Sequence, residues 1–90
     1  MLFRSIYTDV WVSMGDEETA EQRRADLAPF RLDADLLAAA SDRAVVLHCL
    51  PAHPGEEITA DVLYGERSLV WDQAENRLHV LKAVLALTVR

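Results

Sequence analysis

Ala44-Val45-Val46-Leu47-His48-Cys49-Leu50-Pro51 is the stretch on which the fold turns. Ala44–Leu47 is a short, continuous apolar run of the kind a fully buried parallel strand shows. It runs straight into His48 and Cys49 and is closed by Pro51, which cannot continue a ladder. Upstream, Ile6–Val12 (IYTDVWV) is rich in β-branched and aromatic residues and predicts another strand. Ser13-Met14-Gly15 breaks it. Asp16–Glu18 then places acids where a helix N-terminus favours them. A helix is expected from Glu17 to about Ala28, before Pro29, and a second, short one over Asp33–Ala40, with Leu36, Leu37 and Ala40 on one side. Strands that alternate with helices make parallel α/β units.

Downstream, Ala52–Glu57 carries Pro54 and Gly55 and reads as a loop. Thr59 is placed to cap a short helix, Ala60–Leu63. Ser68–Trp71 is expected to be a third, short strand. Asp72–Arg90 predicts a long helix with Leu78, Leu81, Leu85 and Thr88 at helical spacing. Val80, Val84 and Leu87 form a neighbouring stripe, so much of this helix is expected to be buried. The fold class is therefore α/β, with a short parallel sheet flanked by helices.

Ninety residues suffice for one small domain. Nine basic against fifteen acidic residues give a net charge of −6, which argues against a nucleic-acid partner, since that needs a basic face. The one cysteine, Cys49, rules out an intramolecular disulfide and fits a reducing cytoplasm. No apolar run reaches the roughly 18–20 residues that span a bilayer, so no membrane partner is expected. One cysteine and three histidines without ligand spacing make no metal motif, and no cofactor is expected.

In parallel α/β folds chemistry gathers at the carboxyl ends of the strands. Ser13–Gly15 and His48–Pro51 both follow strands directly, which assigns them to one site. Cys49 reads as a nucleophile, a substrate contact or plain packing. A Cys–His nucleophile pair is poorly supported, because His48 and Cys49 are neighbours on a strand and point to opposite faces. His53 has no evident third, orienting residue. Asp9, near the end of a buried strand, needs a partner; it either caps the following loop or holds a cationic ligand group. In Asp72–Arg77, a polar cluster where a helix begins, Arg77 is either solvated charge or a donor to an anion.

Taken together and in this order, DVWVSMG, HCLPAH and VWDQAENR resemble the three C-terminal signatures of ornithine carbamoyltransferases, over essentially Ile6 to Arg90. Cys49 discriminates, since the related aspartate carbamoyltransferases carry HPLP there, and the SMG segment points the same way. The resemblance implies a partial Rossmann-like three-layer domain, the C-terminal part of an ornithine-binding domain over residues 6–90. It implies transfer of a carbamoyl group from carbamoyl phosphate to the side-chain amine of L-ornithine, giving L-citrulline and phosphate, in arginine biosynthesis. Asp9 and Ser13 would bind the α-amino end of ornithine, with Met14 in the same clamp. Cys49 would lie beside the attacking amine as a contact. The Leu50 carbonyl would accept from the carbamoyl NH2, and Arg77 would donate to the carbamoyl oxygen. The parent enzyme would be a homotrimer or higher homo-oligomer.

Two departures accompany the resemblance. Many bacterial relatives read HCLPAHRGEE, whereas Pro54 stands here where the arginine would be. Met1–Ser5 does not match the family's Gly-Ala-Asp type of approach to the first strand. CTCTTCCGATCT, the end of a common sequencing adapter, translates as Leu-Phe-Arg-Ser, so Met1–Ser5 is expected to be a non-native leader. The family's N-terminal Ser-Thr-Arg-Thr type phosphate loop is not in this sequence, nor is an asparagine that contacts ornithine. The isolated chain is therefore expected to be inactive. The alternatives are a non-catalytic α/β module and a carbamoyltransferase for another amine such as putrescine, against which the SMG clamp argues.

Overall fold

The computed structural model describes residues 4–89. Met1–Phe3 of the expected leader, and Arg90 of the expected terminal helix, lie outside the described residues. Two four-residue strands, β1 (Ser5–Thr8) and β2 (Val45–His48), pair in parallel with Tyr7 opposite Leu47 and Thr8 opposite His48. Between them run α1 (Ala20–Leu27) and α2 (Ala34–Ala39); after them come α3 (Ala60–Leu63) and α4 (Val70–Thr88). The mixed α/β class expected from the alternation is the one found.

The first strand is shorter than expected and stops at Thr8. Its ladder ends because β2 ends opposite it at His48. Past that point the Asp9 carboxylate accepts from the Val10 N–H at 2.7 Å, and Trp11 turns inward to 8 % exposure. The helix expected from Glu17 opens as a 3-10 turn, Glu17–Thr19, and continues as α1. Pro29 sits inside a following 3-10 turn, Ala28–Phe30, at whose start its missing N–H costs nothing. Asp33 caps α2 through the Leu36 N–H at 2.9 Å. Thr59 occupies the expected N-cap of α3 but caps nothing with its side chain, and its hydroxyl oxygen is buried without a partner among the described residues.

Ser68–Trp71 is not a strand. The third strand is reduced to one parallel bridge between Val46 and Ser68, in which Val46 N–H donates to Arg67 O and Leu69 N–H donates to Val46 O, each at 2.9 Å. The Gln73 N–H then bonds to Leu69 O at 2.9 Å, so the helix captures Val70 and Trp71 before a second ladder rung can form.

Leu32, Val46, Ile58, Val62, Leu63 and Val70 make the core, with Ile6, Leu37, Leu50 and Ala52 packed against it. β2 contributes its inward residue, Val46, and α4 only its first, Val70. The expected burial of α4 does not occur. Leu78, Leu81, Val84, Leu85 and Leu87 all remain exposed, Leu81 at 57 %. The apolar stripe read from the sequence is real, but no element of the described residues packs on it. Among the described residues no helix is long and apolar enough to cross a membrane.

Candidate functional site

Side chains alternate across a strand, so the pairing of Tyr7 with Leu47 predicts that Asp9 and Cys49, two residues further on each chain, share a face. They do. The Cys49 thiol donates to Asp9 Oδ1 at 3.0 Å. This bond, followed by that from Val10 N–H, holds the Asp9 carboxyl below the usual carboxylate range. The same contact pushes the Cys49 thiol up, with burial and the charge of Asp9 acting in the same direction. A thiol kept protonated by a neighbouring anion is a hydrogen-bond donor and a poor nucleophile. Both bonds to Asp9 land on Oδ1, and Oδ2 accepts nothing among the described residues.

His48 faces the other way and is buried, at 1 % exposure. Its Nδ1 accepts from the Leu50 N–H at 2.8 Å and its Nε2 meets Glu57 Oε1 at 2.8 Å. An accepting Nδ1 places the proton on Nε2, so the ring donates to Glu57. Glu57 Oε1 also accepts from the His53 N–H at 2.8 Å. The imidazole thus pins Leu50 at a φ of 60°, a left-handed conformation that costs a non-glycine residue of order 1–2 kcal/mol and needs such support. The Leu50–Pro51 peptide is cis.

Asp9, Ser13 and Met14 form one wall of a cleft of about 500 Å³, and Leu50, Pro51 and His53 form the other. The two walls are tied together. Arg24 Nε reaches Glu56 Oε1 at 2.7 Å. Arg31 Nε donates to Glu56 O at 2.7 Å while its guanidinium lies 5.6 Å from the Trp11 ring centroid. Asp9, His48 and Cys49 bring donor atoms within 4.8 Å of one another, as do His53, Glu56 and Glu57. However, His48 and Glu56 already spend theirs on Leu50, Glu57 and Arg24, so neither group is read as a metal centre.

Of the residues singled out from sequence, the cleft gathers Asp9, Ser13, Met14 and Leu50, with Cys49 bonded to Asp9. Arg77 is not among them. It lies on α4 beside a separate depression with Gln73, Asn76, Val80 and Leu81. Gln73, one helical turn earlier, makes the connection. Its Oε1 accepts from the His48 N–H and its Nε2 donates to the Tyr7 hydroxyl, each at 3.0 Å. Sequence reasoning missed Gln73, Tyr7, Glu57 and the Arg24 and Arg31 ties. A buried His48 requires a partner, which is a signal for Glu57; nothing local in the sequence signals the others.

The sequence pattern described as "Aspartate/ornithine carbamoyltransferase, Asp/Orn binding domain" matches residues 3–88. An ornithine carbamoyltransferase from Acidothermus cellulolyticus is 63% identical over 81 residues, which are 90% of this chain and 26% of that protein. One from Synechococcus elongatus is 62% identical over 82 residues, 91% of this chain and 27% of the relative. Among solved structures, the ornithine carbamoyltransferase of Pyrococcus furiosus superimposes with a TM-score of 0.85 at 57% identity, over 93% of this chain and 27% of that one. An acetylornithine transcarbamylase complexed with acetylcitrulline gives 0.78 at 30% identity, over 96% and 26%. The chain thus spans about a quarter of the length of the curated relatives it matches.

Proposed function

Because the chain belongs to the aspartate/ornithine carbamoyltransferase family, we propose that it supplies the ornithine side of a carbamoyltransferase site. The parent reaction is transfer of the carbamoyl group of carbamoyl phosphate to the side-chain amine of L-ornithine. The neutral amine attacks the carbamoyl carbon, the new C–N bond forms, the bond to phosphate oxygen breaks, and the amine gives up a proton. L-citrulline and phosphate result, as a cytoplasmic step of arginine biosynthesis in a homotrimeric or larger enzyme.

The observation that carries this reading is the junction of the two motifs at Asp9 and Cys49, with Oδ2 of a carboxylate held below its usual range left without a partner among the described residues, on a cleft. A carboxylate offers about four acceptor positions, so Asp9 can hold an ammonium group without releasing Cys49. In this reading Ser13 and Met14 complete the clamp on the amino-acid head, and Cys49 lies beside the attacking amine. The Leu50 carbonyl accepts from the carbamoyl NH2. Arg77 donates to the carbamoyl oxygen, where a fixed cation helps most as negative charge develops. The exposed apolar face of α4 beside Arg77 supports the presence of further protein there, carrying the phosphate-binding groups. Covering that face would turn the depression at Arg77 into an enclosed, water-poor site, in which its charge acts more strongly.

The test is a titration of the 90-residue chain with L-ornithine, followed by two-dimensional NMR. A half-site predicts a Kd of roughly 1 mM, about 4 kcal/mol of binding, with shifts at residues 9–14 and 49–51. Asp9→Ala removes a charge-assisted bond of about 1.5–3 kcal/mol and weakens binding at least tenfold. Shifts equal in the wild type and Asp9→Ala, or saturable shifts confined to residues outside the cleft, would refute the assignment.

A further inference from the structure

On the side of β2 away from β1, Val46 N–H donates to Arg67 O and Leu69 N–H donates to Val46 O, each at 2.9 Å. Parallel rungs advance by two residues, so the next rung in this order would run from the His48 N–H to Leu69 O. It is not made. Leu69 O is taken by the Gln73 N–H at 2.9 Å, and the Gln73 side chain stands in, its Oε1 accepting from the His48 N–H at 3.0 Å. Only the carbonyl end of an amide accepts. The NH2 end therefore points away, and Nε2 donates to the Tyr7 hydroxyl at 3.0 Å. One side chain of α4 thus holds both strands where their own ladder stops, at Thr8 and His48. His48 immediately precedes Cys49, and Tyr7 lies two residues before Asp9.

We infer that Gln73 is a positioning residue: its amide replaces the missing rung and clamps the ends of β1 and β2, which keeps the Cys49 thiol seated on Asp9. A thiol is a weak donor, so its bond to Asp9 Oδ1 at 3.0 Å needs both backbones held in register. The clamp supplies that from the third side, where the sheet has no further strand among the described residues. Arg77 follows Gln73 by one turn of the same helix, so the clamp also sets the element that carries the cation against the thiol. The functional meaning of the inference rests on the reading of Asp9 as the amine holder; the clamp itself does not.

Two readouts on the 90-residue chain test it. The first is native-state hydrogen exchange. Gln73→Leu removes both bonds and is expected to speed exchange of the His48 N–H by roughly fivefold relative to the Val46 N–H, the worth of one such bond. Gln73→Glu keeps an acceptor for the His48 N–H and is expected to keep its protection. The second is the Asp9 carboxyl midpoint, followed by carbon-detected NMR. Cys49 is the first cause of its low value, ahead of the Val10 N–H and the charge of His48. Gln73→Leu is expected to raise the midpoint in the wild-type background and to leave it unmoved where Cys49 is already alanine. A role confined to fold stability would lower the urea midpoint of Gln73→Leu and leave the native Asp9 titration as it was. Should Gln73→Leu fail to fold, Tyr7→Phe, which removes the β1 half of the clamp alone, carries the same comparison with a smaller rise. Asp9 midpoints that coincide with and without the clamp would overturn the inference. So would a rise of equal size in the Cys49→Ala background, or unchanged His48 exchange in Gln73→Leu. Failure of the chain to bind ornithine, with the Cys49-dependent rise still seen, would overturn the proposed function and leave the clamp standing.

Discussion

Replacement of Glu57 by alanine is the most informative structural perturbation. Glu57 is fully buried, and its Oε1 accepts from His48 Nε2–H and from His53 N–H, both at 2.8 Å. Removing the carboxylate strands a wholly buried donor on His48, worth about 1.5–3 kcal/mol. The His53 N–H is only part-buried and can find water, so it adds about 1 kcal/mol at most. Against this, Oε2 is buried with no partner among the described residues, and its removal recovers roughly 1 kcal/mol. The net loss is about 1.5–3 kcal/mol, a large share of the roughly 5–14 kcal/mol that a chain of this length has. Glu57→Gln keeps an acceptor at Oε1 and is expected to cost about half as much. Urea unfolding followed by Trp11 emission, in a Trp71→Phe background, measures both. With a urea slope of about 1 kcal/mol/M, Glu57→Ala shifts the midpoint by about 1.5–3 M. An alanine variant within about 0.5 kcal/mol of the wild type, the scatter of an ordinary surface change, would refute the account of this network. So would a glutamine variant as damaging as alanine.

Three further outcomes are expected. Leu81→Glu, on the exposed face of α4, changes the unfolding free energy of the isolated chain, measured in urea, by no more than about 0.5 kcal/mol; a large loss would mean that the face is covered within the chain. Arg31→Ala removes the stack on Trp11 and the bond to Glu56 O, and is expected to cost about 1–2 kcal/mol and to red-shift Trp11 emission, measured by fluorescence; unchanged emission would contradict the tie. The Asp9 carboxyl, held low first by Cys49 and then by Val10, favours the charged form in the folded chain. Its bond to Cys49 is therefore intact at neutral pH, persists as pH falls through the ordinary carboxylate range, and is lost only below it. Carbon-detected NMR of the Asp9 carboxyl is expected to show a low midpoint that rises in Cys49→Ala.

The parts of this molecule that were legible in the sequence are those whose causes are local. Val45–His48 is a strand because a short apolar, β-branched run has one good home, and α2 begins where Asp33 can cap it. The motifs DVWVSMG and HCLPAH were placed together by the rule that strand ends gather chemistry, and Asp9 and Cys49 meet as that rule requires. The errors came from partners the local sequence does not contain. Ser68–Trp71 is as apolar as a strand, but Gln73 reaches back to Leu69 and the helix takes it. The stripe on α4 requires burial, yet nothing among the described residues buries it. The Gln73–Tyr7 and Arg24–Glu56 contacts join residues 66 and 32 positions apart, and no periodicity encodes such pairs.

We propose that these residues form the ornithine side of a carbamoyltransferase site. It is tested most directly by exchanging this chain into the Acidothermus cellulolyticus ornithine carbamoyltransferase, in place of the segment to which it is 63% identical, and assaying carbamoylation of L-ornithine, N-acetyl-L-ornithine and putrescine. The account predicts citrulline formation with L-ornithine preferred, a raised ornithine KM in Asp9→Ala, and a loss of kcat in Arg77→Ala. A soluble, folded chimera that prefers another amine, or whose ornithine kinetics ignore Asp9, would contradict it.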